Sequence, residues 1–573
     1  MNRREFLQFL LAGYAAGLIY PNSSAAAVNY DIKPYGNMRL IHLTDTHAQL
    51  NPMHFREPNY NLGVGSNKNL PPHLVGSKFL DYYSIDKEFF KHAFTYLDFN
   101  VLARKFGKFG GYAHLKTIID LLKNEVNNNA LLLDGGDTWQ GSGLSLLENA
   151  SDMVEASNLL GVDVMTGHWE FTYGEKIFLD NLKKFHGDFV AQNIHLTEEA
   201  MFDGMESIDD EDHFQKPYVM KNINNIDIAI IGQAFPYTPI ANPKRYVPNL
   251  TFGIKEVELQ SLVNRIKETK KPSLIILLSH NGVDVDKKLA EKVSGIDIIF
   301  GGHTHDALPS PIIIKNHSSK TLVLNSGCNG KFISLLDLKI NKNSFNYKYK
   351  LLPILSNHIK PSPSMNKLIK SKFNKHSSHL NEIIGKSNMD LYRRGNFNGT
   401  FDKLICDSMI NVLDAEIALS PGFRWGPTVL AGESITMSDI YNQTAITYPN
   451  TYRRKMNGET IKNILEDVAD NIFNPDPYLQ QGGDMVRSSG ISYEITPQND
   501  MNNRITNIMI NGKALIKNRD YVVSGWASVN SEEEGLPIWD ITKTYLSSIK
   551  NYDINDLQQP KIRFENDNFG IET

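Results

Sequence analysis

Short apolar runs recur along the chain from Met38 onward, and most of them are followed at once by glycine, aspartate or histidine. The runs are MRLIHLTDTH, ALLLDGGD, DVMTGHWE, DFVAQNI, DIAIIGQAF, SLIILLSHNG, DIIFGGHTHD and TLVLNSGC. Nearly continuous apolar runs of this length are typical of strands buried on both faces of a sheet. Between them, segments such as GYAHLKTIIDLLKNE and IKEVELQSLVNRIKE have the apolar spacing of amphipathic helices. The alternation predicts an α/β layered domain whose chemistry gathers at strand ends.

Composition narrows the class of protein further. The chain has 573 residues, 41% of them hydrophobic and 21% charged, which is an ordinary balance for a folded protein with room for more than one domain. The net charge of −5 gives no basic surface, so nucleic acid is not expected as a partner. Cys328 and Cys406 form no metal-binding or redox pair in the sequence, and both are expected to be structural thiols.

The first 27 residues have the features of an export signal. MNRREFLQFLLAGYAAGLIYPNSSAAA places Arg3 and Arg4 before Phe-Leu and a short apolar stretch that ends in small residues. This pattern predicts a twin-arginine signal peptide over 1–27, and hence a periplasmic protein exported in its folded state. No later segment is long and apolar enough for a membrane span.

Two interruptions of the α/β pattern suggest the domain limits. Residues 51–108 are rich in Asn, Pro, Gly and aromatic residues, and we predict that they form an insertion within a catalytic domain over 28–354. A Pro-Ser stretch followed by a polar helical segment marks 355–384 as a linker helix. The remainder, 385–573, is predicted to be a second, smaller domain.

Candidate metal ligands follow five of the apolar runs. They are Asp45, His47, Asp137, His168, His280, His303 and His305. Any one of them has an ordinary interpretation as a cap or a hydrogen-bonded polar group, but seven at five successive strand ends of one sheet are poorly explained by coincidence. Carboxylates and imidazoles suit Mn, Fe or Zn, and a bridging aspartate indicates two ions about 3.5–4 Å apart.

The order of these motifs resembles the metallophosphoesterase signature D-x-H, G-D, G-N-H-[DE], H and G-H-x-H, and specifically that of the 5′-nucleotidase branch, with a departure at the third motif. The resemblance implies a four-layer α-β-β-α sandwich domain followed by a smaller α/β C-terminal substrate domain. It also implies two ion sites that share one aspartate. The first site would be formed by Asp45, His47, Asp137 and His305, and the second by Asp137, His168, His280 and His303.

The stretch Gly167-His168-Trp169-Glu170 departs from the family motif G-N-H-E. His168 replaces the asparagine ligand and can still bind a metal. Trp169 replaces the histidine that protonates the leaving alkoxide in phosphoesterases, and an indole N–H cannot act as a general acid near neutral pH. Either the protein is an inactive relative, or its leaving group needs no proton. A thiol has a pKa of about 8.5 and can leave as an anion, and we favour this second explanation because the other ligands are intact.

Further motifs resemble those of the SoxB-type thiosulfohydrolases of bacterial sulfur oxidation. They are GHWEFTYG, FREPNYNLGVG, GKFGGYAHLK, SPGFRWG, TYPNTYRRKMNGETIK and QGGDMVRSSGISY, and they extend through both domains. The resemblance implies a periplasmic enzyme with two Mn²⁺ ions, although the ligands would also hold Zn²⁺ or Fe. A monomer is expected, although the sequence itself leaves the oligomeric state open. It implies release of sulfate from a cysteine thiosulfonate on a SoxYZ-type carrier protein.

We expect catalysis to involve Asp137, His168, Trp169 and Arg424. Trp169 would either wall the site against water or simply pack. Arg424 is the expected clamp for the sulfonate oxygens, because a guanidinium is a forked and permanently charged donor. Among the other arginines of the second domain, Arg487 is a further candidate for substrate binding, and Arg453 and Arg454 are weaker ones.

The insertion is expected to admit a protein substrate. Arg56 and Glu57, in FREPNYNLGVG, are predicted to bind an extended carrier peptide in a channel, although a loop that merely covers a sheet edge would look similar. Two other functions remain open. One is a periplasmic 5′-nucleotidase or phosphodiesterase, which Met485 and Val486 disfavour and Trp526 and Trp539 leave possible. The other is a catalytically silent binding subunit stabilised by metal.

Overall fold

The computed structural model describes residues 30, 32–317, 319–341, 344–554 and 557–572. These residues form two compact units. Unit 1 contains the described residues up to Met53, together with 106–140 and 147–375, and unit 2 contains 54–105, 141–146 and 376–573. The predicted signal peptide, 1–27, lies outside the described residues. A helix with the length and apolar character needed to cross a membrane is not found in the described part of the chain.

The α-helices span Gly76–Tyr82, Glu88–Phe94, Phe99–Phe106, Tyr112–Asn124, Gly143–Leu147, Ser151–Leu160, Glu175–Leu182, Glu198–Phe202, Thr238–Ala241, Glu256–Thr269, Val283–Lys292, Pro363–Leu380, Thr400–Leu413, Met437–Thr444, Gly458–Phe473 and Ile538–Ile549. Short 3₁₀ helices span Gly65–Asn67, Trp169–Tyr173, Lys244–Tyr246, Ser356–His358 and Pro477–Leu479. The two segments with amphipathic spacing in the sequence are therefore helical, at Tyr112–Asn124 and Glu256–Thr269.

Unit 1 contains two six-stranded sheets. Its strands are β1 (Met38–Leu43), β2 (Ala130–Asp134), β3 (Val164–Met165), β4 (Asp188–Phe189), β5 (Ile194–Leu196), β6 (Tyr218–Ile223), β7 (Ile226–Gln233), β8 (Leu250–Phe252), β9 (Leu274–Ser279), β10 (Ile298–Gly301), β11 (Ile312–Lys315), β12 (Lys320–Asn325), β13 (Phe332–Asn341) and β14 (Ser344–Pro353). The first sheet has the order β14-β13-β1-β2-β3-β4 and the second β11-β12-β10-β9-β7-β6, while β5 and β8 pair separately. Each of the eight predicted runs contains one of these strands.

The central strands of each sheet are parallel, which brings their carboxyl ends to one edge. β1 pairs with β2 in register Leu40↔Leu131, and β9 pairs with β10 in register Ile276↔Ile298. The antiparallel pair of β13 and β14 was not predicted from the sequence. The reason is that β14 alternates exposed and partly buried side chains over most of its length, so it lacks a continuous apolar run.

The two sheets of unit 1 pack face to face through one apolar core. Buried side chains from the first sheet, such as Leu40 and Leu133, belong to the same cluster as Ile230, Ile276 and Phe300 of the second. Helices cover the outer faces, and Val283–Lys292 for example lies against β10, β11 and β12. This arrangement confirms the four-layer α-β-β-α fold class.

Unit 2 is a mixed α/β structure with three sheets. Its strands are β15 (Ile383–Ser387), β16 (Ile417–Ser420), β17 (Ser434–Thr436), β18 (Thr451–Asn457), β19 (Arg487–Ser489), β20 (Ile491–Ile495), β21 (Ile505–Ile510), β22 (Lys513–Ala514), β23 (Asp520–Trp526), β24 (Asn551–Tyr552) and β25 (Lys561–Ile562). They form sheets of order β17-β15-β24, β18-β23-β16-β19 and β22-β21-β20-β25. The predicted smaller α/β domain at the C-terminal end of the sequence is thereby confirmed.

The predicted insertion is grouped differently by the structure. Residues 54–105 belong to unit 2 and not to the N-terminal unit that the sequence suggested. The physical reason is apolar packing, since Leu62 lies in the same buried cluster as Phe397 and Ile417. The segment is also not a plain loop, because it contains helices. Within the predicted linker over 355–384, the structure has the helix Pro363–Leu380.

Candidate metal centre

Seven buried side chains of unit 1 converge in two groups that share Asp137. The first group consists of Asp137, His168, His280 and His303, and the second of Asp45, His47, Asp137 and His305. Within each group, one candidate ligand atom per residue lies within 4.8 Å of the others. All seven residues follow the carboxyl ends of β1, β2, β3, β9 and β10. The structure thus brings together every residue that the sequence suggested as a metal ligand.

The backbone is unusual at most of these positions. Left-handed φ angles are found at Asp45 (50°), His47 (45°), Asp137 (56°), His303 (74°) and His305 (61°). Non-glycine residues rarely adopt this conformation, and each instance costs about 1–3 kcal/mol that the surrounding structure must offset. Such strain is typical of functional sites, where a strained backbone conformation sets the direction of a side chain.

Main-chain hydrogen bonds hold the ligand loops against one another. The amide of Asp45 donates to the carbonyl of Gly136 at 2.8 Å, and that of His47 donates to the carbonyl of Asp137 at 2.8 Å. The amide of His303 donates to the Asp45 carboxylate at 3.0 Å. Gly302 is required in this packing, because a Cβ there would lie 2.9 Å from Nδ1 of His280 and 3.0 Å from Oδ2 of Asp45. The loops of both sheets are therefore fixed relative to each other.

The imidazoles are oriented toward the shared carboxylate. Nδ1 of His280 lies 2.6 Å from the carbonyl oxygen of Gly135, so Nδ1 carries the proton and donates it. Nε2 of His280 then faces Oδ2 of Asp137 at 3.0 Å. A backbone carbonyl that fixes the tautomer in this way is typical of metal-binding histidines. In the second group, Nε2 of His47 and Nε2 of His305 approach to 3.0 Å.

The electrostatics favour the metal-binding protonation state at Asp137 and His47. They do not at Asp45, whose pKa burial raises, or at His280, where burial lowers the pKa but the Asp137 and Asp45 carboxylates outweigh burial and raise it to about 10. Burial alone raises the pKa of the Asp137 carboxyl, but the imidazoles of His168 and His280 outweigh burial and hold that pKa well below its usual range. Burial lowers the pKa of His47 to about 4, despite the opposing effect of Asp137. Ionised carboxylate and neutral imidazole are the ligating forms of these side chains.

The donor set fits divalent cations. Each group offers three imidazoles and one carboxylate, or two of each, which suits Zn, Fe or Mn better than Ca or Mg. Nε2 of His168 is buried and has no hydrogen-bond partner among the described residues, as expected for a nitrogen that faces an ion. The fold and these groups are consistent with two divalent metals.

Trp169 begins a 3₁₀ helix directly after His168 and is 5% exposed. Its backbone amide donates to Oδ1 of Asp137 at 2.8 Å, and its ring lies 5.3 Å from the His168 ring. The position that would supply an imidazole in the phosphoesterase motif is therefore occupied by a buried indole beside the candidate ligands.

Glu170 has a supporting role that the sequence analysis did not assign. Its buried carboxylate accepts hydrogen bonds from the backbone amides of Asp137, Thr138, Trp139 and His168, at 2.7–3.3 Å. These amides belong to two different loops, so one side chain holds both of them. Burial, followed by repulsion from Asp137, raises the pKa of Glu170. The signal in the sequence was the acidic residue that ends G-H-W-E.

The predicted substrate residue Arg487 is enclosed within unit 2. Its side chain is fully buried, and its guanidinium donates to the carbonyl of Phe397 and to the Asp484 carboxylate at 3.0 Å. Asp402 lies 3.4 Å from its Nε atom. The structure thus corrects the prediction that Arg487 binds substrate. Its guanidinium is surrounded by protein partners and stabilises unit 2.

The other arginines of this region differ in accessibility. Arg424 is partly exposed, and it donates to the carbonyl of Gly483 at 2.5 Å and lies 3.6 Å from the Asp484 carboxylate. Arg453 and Arg454 lie on β18 with exposed side chains. Of the four candidates, Arg424 combines partial exposure with a fixed position.

Arg56 and Glu57 lie in unit 2. Glu57 is buried. The Arg56 guanidinium is placed over the rings of Tyr392, at 4.1 Å, and Tyr96, at 4.9 Å. Its backbone amide donates to Oγ1 of Thr428 at 3.0 Å. Burial lowers the pKa of Arg56, although a guanidinium remains charged at neutral pH.

Comparison with known proteins agrees with both units. Residues 38–307 match the calcineurin-like phosphoesterase family, and residues 378–540 match the 5′-nucleotidase C-terminal domain. The solved structure of the sulfate thiohydrolase SoxB of Thermus thermophilus, in complex with glycerol, is 32% identical in sequence. It superposes with a TM-score of 0.86 over 94% of this chain and 98% of that one.

Two curated relatives are more distant. The trifunctional nucleotide phosphoesterase YfkN of Bacillus subtilis is 26% identical over 71% of this chain, which spans only 30% of YfkN. The protein UshA of Yersinia enterocolitica is 23% identical over 76% of this chain and 84% of its own length. Both matches agree with the hydrolase superfamily that the two family matches indicate for this chain.

Proposed function

This chain belongs to the SoxB family within the metallophosphoesterase and 5′-nucleotidase superfamily, and on that premise we propose that it is a thiosulfohydrolase. Its substrate would be a cysteine thiosulfonate on a SoxYZ-type carrier protein, and its products sulfate and a carrier persulfide. We further propose that it works in the periplasm as a monomer with two Mn²⁺ ions bound by the seven converging residues.

One observation carries the proposal. The metal cluster has a complete set of candidate ligands, yet the neighbouring position is Trp169 and not the histidine of the phosphoesterase motif. Cleavage of a phosphoester releases an alkoxide, which needs a proton from a general acid. A persulfide or thiol sulfur is far more acidic, with a thiol pKa of about 8.5, and departs as an anion. The chemistry that this site supports best is therefore cleavage at sulfur.

The reaction is hydrolysis of a sulfur–sulfur bond. The oxygen of water bonds to the sulfonate sulfur, the S–S bond breaks, and its electron pair stays on the departing persulfide. The protons of the water pass to solvent, so sulfate and the persulfide anion are formed. Two bound divalent ions would lower the pKa of water and offset the charge of the sulfonate.

The chain's own residues prepare this site. Asp137 and the imidazoles around it would hold the ions, and the backbone amide of Trp169 and the side chain of Glu170 fix the loops that carry these ligands. The buried indole of Trp169 limits the access of solvent. We propose that Arg424 binds the sulfonate oxygens, since its guanidinium is a forked donor and is partly exposed.

A sulfate-release assay tests the proposal. The purified protein, with its metal content measured, is mixed with a carrier whose cysteine has been converted to the thiosulfonate. We expect stoichiometric sulfate and a persulfide on the carrier, detected by ion chromatography and by mass spectrometry. Metal-loaded protein that releases no sulfate from this conjugate would refute the proposal and favour a silent binding subunit.

The second candidate is a nucleotide phosphoesterase, which the match to YfkN over 71% of this chain favours. Hydrolysis of AMP and of bis-nitrophenyl phosphate by the same preparation separates the two functions. Phosphate release faster than sulfate release would make this a nucleotidase. The proposed enzyme should be slower on both phosphoesters by orders of magnitude.

A further inference from the structure

Arg56 lacks the partner that a buried guanidinium usually has. Its guanidinium lies over the rings of Tyr392 and Tyr96, and the negative faces of these rings favour a cation. Its Nη1 atom donates to Oδ1 of Asn59 at 3.5 Å, the limit of a hydrogen bond. In the part of the chain that the structure describes, no carboxylate lies within ion-pair distance of this guanidinium; burial lowers its pKa, and the more distant Asp390 carboxylate opposes that effect.

Two of the other candidate arginines have a carboxylate beside them within the protein. Arg487 lies 3.0 Å from the Asp484 carboxylate, and Arg424 lies 3.6 Å from the same group. A partly buried charge without a counterion is unfavourable, and it becomes favourable when an anion of suitable geometry binds. Five donors in a fixed fork suit the oxygens of a sulfonate or a carboxylate.

The Tyr96 ring beside Arg56 is held by Glu572, a residue far away in the sequence. The hydroxyl of Tyr96 donates to Oε2 of Glu572 at 2.8 Å, and the amide of Ser77 donates to Oε1 at 3.4 Å. Gly76 leaves the space that the Glu572 carboxylate occupies, because a Cβ at this position would overlap Oε2. The Tyr96 ring beside Arg56 is therefore held in place by a hydrogen bond to Glu572.

The backbone around Glu572 is itself fixed to the 54–105 segment. The amide of Val75 donates to the carbonyl of Phe569 at 3.0 Å, and that of Asn61 donates to the carbonyl of Gly570 at 2.8 Å. The side chain of Asn568 donates to the carbonyl of Gly63 at 2.9 Å. Residues 568–572 therefore place the Glu572 carboxylate at a defined position.

We infer that Arg56 forms an oxyanion-binding subsite and that Glu572, acting through Tyr96, is a positioning residue for it. The ligand is a sulfonate or carboxylate group. Its source rests on the proposed function, because the sulfonate of the thiosulfonate and a carboxylate of the carrier peptide both have this chemistry. The tyrosine rings contact the face of the guanidinium, so its N–H groups other than the one that contacts Asn59 remain as donors for the anion.

Calorimetric titration of the metal-loaded protein with sodium sulfate and with sodium acetate tests the subsite. We expect Arg56→Met to weaken binding of one anion at least tenfold, while Arg104→Met stays within twofold. Arg104 is a matched control because it lies in the same segment and donates to the carbonyl of Ala431. A loss for sulfate identifies the sulfonate, a loss for acetate identifies a carboxylate, and no loss for either overturns the subsite.

A double-mutant cycle tests the role of Glu572. Glu572→Ala should weaken binding of the same anion threefold to tenfold and raise KM on the thiosulfonated carrier with kcat little changed. In the Arg56→Met background it should have no further effect, because its influence passes through Arg56. Additive losses would show that Glu572 has only a structural role. The binding arm remains informative even if no sulfate is released, so failure of the proposed activity is distinguishable.

Discussion

The backbone amide of Trp169 donates a hydrogen bond of 2.8 Å to Oδ1 of Asp137, the carboxylate shared by both ligand groups. The main chain makes this contact, so it is retained whatever side chain stands at position 169. Substitutions of Trp169 therefore change the chemistry beside the ions with little effect on the support of Asp137. This separation makes position 169 the most direct test of the leaving-group argument.

Trp169→His should create phosphoesterase activity. An imidazole at this position restores a general acid beside the candidate ions, and such a group contributes about 10²–10⁴-fold to proton transfer to a leaving group. We expect AMP hydrolysis to rise at least tenfold, while sulfate release from the carrier changes by less than threefold. Trp169→Phe is the control, since it removes the indole without adding a titratable group. A rise in both variants would count against the general-acid explanation.

Glu170→Gln should release metal and destabilise unit 1. Glutamine keeps one acceptor oxygen but turns an NH₂ group toward amides that now donate to the carboxylate. Losing a charged acceptor of this kind costs about 1.5–3 kcal/mol per hydrogen bond. We expect metal affinity to fall about 10–100-fold, as for other supporting partners of metal sites. Metal analysis and thermal unfolding measure the two effects.

Glu175→Gln provides the comparison for that experiment. Glu175 accepts hydrogen bonds from the amide and the side chain of Asn249, at 3.0 Å and 2.8 Å, and it holds no ligand loop. This variant should lose some stability and keep its metal. Equal metal loss in both variants would mean that Glu170 acts only through general stability.

The seven candidate metal ligands could be predicted from the sequence because the fold brings the carboxyl ends of their strands close together. Parallel strands place their carboxyl ends at one edge, so an apolar run followed by aspartate or histidine already specifies where a side chain will lie. Asp45 and His303 follow β1 and β10, which belong to different sheets and not to the single sheet that the sequence analysis expected, so their convergence also depends on the face-to-face packing of the two sheets. Glu170 was missed because its partners are backbone amides, which a sequence pattern does not identify, and only its place at the end of G-H-W-E pointed to it.

Other features depended on tertiary packing that no local pattern reveals. Arg487 looked like a substrate residue in GGDMVRSSG, but burial commits its guanidinium to Phe397 and Asp484. The 54–105 segment joined unit 2 because of scattered apolar residues such as Leu62, whose partners lie hundreds of positions away. The spacing of residues within a motif carries no information about such partners.

Asp286 should make the wild-type protein less stable as pH rises. Burial raises the pKa of this carboxyl from 3.8 to about 7. Because the folded pKa is above the unfolded value, the native state binds more protons between pH 4 and 7, and stability falls as pH rises through that window. The full effect is about 4 kcal/mol, at about 1.4 kcal/mol per pKa unit.

Asp286→Asn removes this titration and tests it. The amide oxygen can still accept from Ser279 and Asn281, as the carboxylate does at 2.6 Å and 3.1 Å. Thermal unfolding of both proteins across pH 4–8 should show the variant gaining relative to wild type with increasing pH. A difference that stays constant across this range would mean that Asp286 does not titrate as its burial implies.

Single substitutions should divide the metal content according to the two ligand groups. His303 belongs only to the first group and His305 only to the second, whereas Asp137 belongs to both. We therefore expect His303→Ala and His305→Ala each to retain about one ion per chain, and Asp137→Ala to retain almost none. Plasma mass spectrometry after gel filtration gives the stoichiometry. His213→Ala is the control, because His213 pairs with Asp209 outside the cluster and should leave both ions in place. If His303→Ala and His305→Ala both lose all metal, the two groups act as a single site and not as a pair of ions bridged by Asp137.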